Sequence, residues 1–318
     1  MDLSLPEDVV DFGAWAREAC SSIGLESVRG VIAGQQTSAD AFSVVRSLGL
    51  DDFDGLGDDQ VTTLCAAVLA REAGRAALPI PIAALLTGRL AGAGQTTVHA
   101  VGDVATPEQL VDHAVDFPDP ILVQADGQAR RSRTLPPASE QRLLAPFASR
   151  VDPAEPVRLA RGDSWAFHEV FSAFSSIGSL GHILDLGAEH LRVRHQFGKP
   201  LRARQALEYR YVDALVAFRG LRELGFYTIW RLMERQGDPV TDALALRVTH
   251  LETIRTVLRH IHQIHGAIGF CFEHDLAIQS QYVQFRRYAP HPLAETASLL
   301  GRHLDAIPSL HSPAVAVA

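Results

Sequence analysis

The chain has 318 residues, 47% of them hydrophobic, enough to bury a large core or two to three subdomains as an ordinary soluble protein. Lys and Arg number 29 against 37 Asp and Glu, a formal charge of −8, so no basic field favours nucleic acid or an anionic membrane, and a phosphorylated ligand needs locally placed arginines. The three cysteines, Cys20, Cys65 and Cys271, lie far apart without CxxC spacing and read as core thiols, and the N-terminus has no basic segment before an apolar run. Together these argue against a structural metal and point to a reducing, cytoplasmic location with no membrane span.

From Pro6 to about Gly92 the pattern is helical, with apolar positions three and four apart in Val9, Val10, Phe12 and Trp15 and again from Val61 to Leu69. Gly55-Leu56-Gly57 interrupts it. A helix through Leu69 should end near Gly74, because Pro79 and Pro81 cannot continue it, and another short helix is expected from Ile82 to Leu90. Between about Ala93 and Ala160 the texture changes to short β-like runs, Thr97–Val101 and Pro120–Gln124, separated by Gly, Pro and Asp turns. Long helices return at roughly Ser164 to Arg192, Ala203 to Gln236, Thr241 to His265 and Leu276 to Arg287. Gly178 and Gly181 in the first of these permit another backbone to approach closely. The tail from Ser312 to Ala318 reads as frayed. The expected domains are residues 1–92, helical; 93–160, a small β-rich region; and 161–318, a helix bundle, so the fold class is mainly α.

Two segments are candidates for chemistry. In Arg194-His195-Gln196-Phe197-Gly198-Lys199-Pro200-Leu201 a guanidinium fork, suited to bidentate contact with a diphosphate, stands where a long helix stops, followed by an amide, an aromatic face and a Gly-Pro turn that fixes their direction. Alone, Arg194 reads as a solvated arginine at a helix end, and the residues that follow turn the reading towards a binding role. In Gln263-Ile264-His265-Gly266-Ala267-Ile268-Gly269-Phe270 a glycine lets backbone approach a ligand with no Cβ in the way. His260, His262 and His265 have no carboxylate or cysteine at ligand spacing and make no metal set; His262 and His265 read as partly buried helix-end residues.

In this order, in the C-terminal half of a helical protein, the two segments resemble the paired flavin-contacting motifs of the acyl-CoA dehydrogenase family. The resemblance implies that fold, with an N-terminal helical domain, an abbreviated β middle domain and a C-terminal helix bundle. It also implies FAD, with Arg194, Gln196 and Phe197 reaching across a subunit interface to the pyrophosphate and adenine end of a neighbour's cofactor. Gln263, Gly266 and Ala267 would lie near its adenosine and ribityl part, Ala267 standing where the family usually has a second glycine. Glu273-His274-Asp275 matches a loop-ordering acidic segment.

Two family features are missing. The middle region has no Thr-Glu-Pro-like, Gly-Ser-Asp-ending loop to wrap the flavin. The segment where the family carries its catalytic glutamate reads Arg287-Tyr288-Ala289-Pro290-His291-Pro292, without a carboxylate. Some members place the base about twenty-five residues before the arginine motif. Glu169 is the acidic candidate there, one position out of register, which is about 100° of helix rotation, and it reads alternatively as a solvated first-turn glutamate. His168 beside it is the lesser candidate base.

The chain thus resembles the smaller, β-type subunit of the heterotetrameric acyl-CoA dehydrogenases of bacterial steroid degradation, including cholesterol catabolism. That resemblance implies a homologous larger subunit (α2β2) supplying the base, a bulky steroid-derived acyl-CoA substrate and an electron-transfer flavoprotein as acceptor. A self-sufficient homo-oligomer using Glu169 and a flavin-free helical scaffold are the alternatives.

Overall fold

The computed structural model describes residues 5–113, 116–136 and 147–306, so the expectation for the 312–318 tail lies outside the described residues. Five helices come first: α1 (Glu7–Ser21), α2 (Gly24–Ile32), α3 (Ala39–Ser47), α4 (Gln60–Arg75) and α5 (Ile82–Leu90). α1 buries Val9, Ala16 and Cys20, while Val10 and Trp15 face solvent, so only part of the apolar spacing read from sequence marks the core. The Asp59 carboxylate caps α4 by accepting the Thr62 N–H at 2.7 Å.

The middle region forms β1 (Val98–Ala100), β2 (Gln109–Asp112), β3 (Ile121–Val123), β4 (Ala129–Thr134) and β5 (Ala148–Val157) in one sheet ordered β1-β3-β4-β5-β2. β1 and β3, the two runs legible in sequence, pair in parallel, Val98 opposite Ile121; the other pairings are antiparallel, with a bulge in β4 between Arg130 and Ser132.

The third part starts with α6 (Ser164–Val193) and the hairpin β6 (His195–Gln196) and β7 (Lys199–Pro200). α7 (Gln205–Met233), α8 (Pro239–His265), α9 (Asp275–Gln284) and α10 (Leu293–Asp305) follow. No described helix is long and apolar enough to cross a membrane.

α6 is the axis of the molecule. Its first two-thirds are buried nearly continuously, against α4 and α5 on one side and α7 and α8 on the other. The crossing with α4 is a backbone contact: a Cβ on Gly178 would sit 1.7 Å from the Arg71 carbonyl oxygen, and one on Gly74 1.8 Å from that of Ser175. Gly74 therefore lies inside the last turn of α4 because α6 leaves no room for a side chain. Gly181 meets only side chains, the nearest atom being Phe218 Cζ at 3.5 Å, so one of the two glycines singled out in α6 serves close approach.

Candidate functional site

The structure brings the two C-terminal segments together. α6 ends at Val193, Arg194 turns extended, and its carbonyl accepts the Leu201 N–H at 2.8 Å, closing the β6–β7 hairpin. Phe197 and Gly198, with φ of 52° and 75°, form the two-residue turn. Gly266 ends α8 at φ 66° and ψ −144°, a conformation open essentially to glycine alone. Between them lies a groove of about 520 Å³ lined by His190, Arg194, Gln196 and residues 263–268, with Leu201 and Leu207 as its apolar wall.

Arg194, Gln196, Gln263, Gly266 and Ala267 all line this groove, and none of the three polar side chains among them makes a hydrogen bond or ion pair among the described residues. Phe197 is outside it, 92% exposed at the hairpin tip, with the Arg204 guanidinium 5.5 Å from its ring centroid. Arg204 also donates to the Gln196 carbonyl at 3.1 Å, a brace for the hairpin that the sequence reading missed.

The groove's inner wall is a histidine stack. His190 lies on His265 at 4.4 Å between centroids, and His274 meets His265 edge-on at 5.0 Å. Burial pushes the His265 imidazolium down to about 4, and the neighbouring histidines push the same way, so the ring is neutral at neutral pH. Ser280 donates its hydroxyl to the Leu276 carbonyl, so its oxygen accepts from His262 Nε2 at 2.7 Å. His265 on this wall and His262, which lines the neighbouring groove, are thus packed, neutral rings, and the described residues contain no cluster able to hold a metal ion. The groove offers a guanidinium, two amides and glycine backbone to an anionic, hydrogen-bonding ligand. A second groove, which shares Gln263 and Gly266, adds Arg255, Arg259 and Arg287 beside it.

Glu169 is elsewhere and is not solvated. It is 1% exposed, because α6 is enclosed on all sides at this depth, and its Oε2 accepts from Arg247 Nη1 at 2.8 Å. Burial alone would raise its carboxyl, but Arg247 and then His168 hold it down at about 2. Arg247, itself 1% exposed, also donates to the carbonyls of Ala289 at 2.8 Å and His291 at 2.7 Å. The segment from 287 to 292 is thereby stitched to the bundle. Beneath it His99 Nδ1 sits 3.1 Å from Asp112, and Arg286 approaches the same carboxylate at 4.0 Å. His99, Asp112, His168, Ser172, Arg286 and Pro290 surround a cavity of only about 20 Å³, room for roughly one water. An arginine at position 247, on the apolar face of α8 beside Leu244 and Ile254, was the sequence signal for a buried partner.

Of the three cysteines only Cys20 fits the core reading fully. Its thiol is pushed up to about 12 by burial; Cys65 is half-buried, and Cys271 is exposed because it falls on the turn between α8 and α9.

Residues 170–290 match the family model for the acyl-CoA dehydrogenase C-terminal domain. Over 244 residues, 72% of this chain and 74% of the relative, the chain is 28% identical to acyl-CoA dehydrogenase IpdE2 of Mycolicibacterium smegmatis. It is 26% identical over 229 residues to the Mycobacterium tuberculosis protein of the same name, covering 66% of this chain and 68% of that one. Among solved structures it superposes on a chain of the ChsE4-ChsE5 complex from Mycobacterium tuberculosis with a TM-score of 0.78 at 18% identity, over 97% of this chain and 100% of that chain. For a chain of the Tcur3481-Tcur3483 steroid ACAD the TM-score is 0.78 at 16% identity, over 96% of this chain and 99% of that one.

Proposed function

We propose that this chain, which belongs to the acyl-CoA dehydrogenase family of oxidoreductases acting on acyl-CoA, works as the subunit that grips the adenosine and diphosphate half of a FAD whose flavin ring lies on a larger homologous partner. One observation carries the reading: two segments some seventy residues apart converge on one groove and leave Arg194, Gln196 and Gln263 without partners among the described residues. A guanidinium fork suits the pyrophosphate, the two amides suit ribose and adenine edges, and backbone at Gly266 and Ala267 can approach without obstruction. When bound, FAD supplies the hydride acceptor for oxidation of the thioester's α,β-bond.

The α-proton must go to a base, and at the two places where the family carries one the described residues offer no free carboxylate. Glu169 is engaged by Arg247, proline stands in the segment expected to carry a glutamate, and the next carboxylate, Glu295, is bonded to His291 at 2.9 Å. The cavity between sheet and bundle, at about 20 Å³, is far below the several hundred Å³ of a ligand site. Both points support a partner that brings the base and the flavin pocket in an α2β2 assembly.

A bulky steroid-derived CoA thioester as substrate rests on the likeness to a complex described as a steroid ACAD. An electron-transfer flavoprotein as acceptor, a cytoplasmic location and the three-domain division at residues 92 and 160 complete the reading. Expression alone and together with a larger acyl-CoA dehydrogenase subunit, followed by a flavin spectrum and an acyl-CoA oxidation assay, tests it. A yellow, active complex only on co-expression is expected. An active yellow homo-oligomer overturns the division of labour, and a colourless assembled complex favours the flavin-free scaffold.

A further inference from the structure

The wall of the groove rests on a turn that is held from outside as well as by its own short-range bonds. After Gly266–Phe270, the residues 271–274 reverse the chain into α9. His274, whose Nδ1 accepts the Leu276 N–H at 3.1 Å, places its ring against His265. The turn's outward carbonyls have no helix to receive them. They are taken by a residue 243 positions earlier: Arg29 of α2 donates Nε to the Phe272 carbonyl at 3.3 Å and Nη2 to the Glu273 carbonyl at 2.9 Å. The same Nη2 meets Asp275 Oδ1 at 2.6 Å, and Nη1 is held by Glu26 at 2.8 Å. The Arg29 side chain is only 13% exposed, whereas the Glu26 side chain is 90% exposed.

We infer that Arg29 is a positioning residue for the groove, acting through the 272–275 turn on His274, His265 and His190. A guanidinium is the one side chain that satisfies two carbonyls and a carboxylate at once from a fixed plane. Removing it frees the turn, and with it the edge-to-face contact that seats His265 against His190. The inference rests on the reading of the groove as a FAD site for its consequence in binding, but its mechanical half is independent of any ligand.

The experiment uses the full chain together with the subunit it assembles with, comparing wild type, Arg29→Ala, Glu26→Gln and Arg194→Ala. Amide hydrogen exchange without FAD should be about tenfold faster in Arg29→Ala across residues 266–276 and unchanged in α6, the size of a mid-range coupling between neighbouring residues. Titration with FAD should show affinity weakened about tenfold in Arg29→Ala and unchanged in Glu26→Gln. Unchanged exchange in 266–276, or exchange raised equally through α6 and α8, overturns the positioning role. If Arg194→Ala weakens FAD binding and Arg29→Ala does not, the coupling fails while the FAD reading stands. If neither variant weakens it, the FAD reading fails, and hydrogen exchange alone then decides whether Arg29 holds the turn.

Discussion

Glu169→Gln separates a catalytic carboxylate from a structural one. The substitution keeps the shape and removes the charge, leaving the Arg247 guanidinium buried with only carbonyl acceptors. Breaking a fully buried pair from one side costs about 3–5 kcal/mol. With an unfolding entropy of about 2.1 cal/mol/K per residue over 318 residues, the melting temperature should fall by roughly 4–8 °C. The sign with pH follows from the depressed carboxyl. Stability from a group held at about 2 is present above its unfolded value near 4.5 and is lost as pH falls between the two, so the gap between wild type and variant should narrow below about pH 4.5. Scanning calorimetry of the assembled complex across pH reads both effects. Stopped-flow flavin reduction of the same samples should stay within a few fold of wild type, whereas losing a true general base costs about 10² to 10⁴. A thousandfold collapse of flavin reduction with melting temperature and FAD content unchanged would refute the structural role and make Glu169 the base.

Arg194→Ala should weaken FAD retention by about ten- to a hundredfold, the loss of a charge-assisted contact of roughly 1.5–3 kcal/mol, with circular dichroism unaltered; unchanged affinity in a FAD titration counts against the site. Gly178→Ala places a Cβ 1.7 Å from the Arg71 carbonyl oxygen and should destabilise by at least about 3 kcal/mol in chemical denaturation, whereas Gly181→Ala, with side chains alone nearby, should cost little. His113 and His250 are pushed down to about 4 and about 3, burial being the main cause, so below pH 6.5 the unfolded chain takes up protons that the folded one refuses. Stability should fall by up to about 1.4 kcal/mol per pH unit for each ring, and urea midpoints that do not move between pH 7 and 5 would contradict this.

The long helices and the two runs that became β1 and β3 were legible because their apolar residues are continuous or periodic. β4 and β5 were not. Ala129-Arg130-Arg131-Ser132-Arg133-Thr134 carries three arginines, and β5 contains Pro153 and Pro156; both strands are made by the pairing itself rather than by local propensity. The groove was legible at Gly266, where the backbone requires glycine, and at Arg194 and Gln263 through the resemblance of their segments to the family's paired motifs. His190 was not, because a histidine in the last turn of a helix carries no mark of what will stack on it. Arg29 lay further from view still: it is tied to Asp275 across nearly the whole chain, and no local pattern announces a contact of that range. Glu169 was picked out but placed in the wrong environment, since its burial depends on helices from three other parts of the sequence.

The backbone contact between α4 and α6 has a mechanical consequence. Two helices separated by side chains can slide or roll as rotamers rearrange, but where carbonyl oxygen meets Cα there is nothing to rearrange, and any translation drives Gly178 into Arg71 or Gly74 into Ser175. The N-terminal helices and the bundle are geared together at that point. Whatever adjustment accompanies a ligand or a partner must fall on the pieces outside the gear: the β6–β7 hairpin and the turn that Arg29 holds.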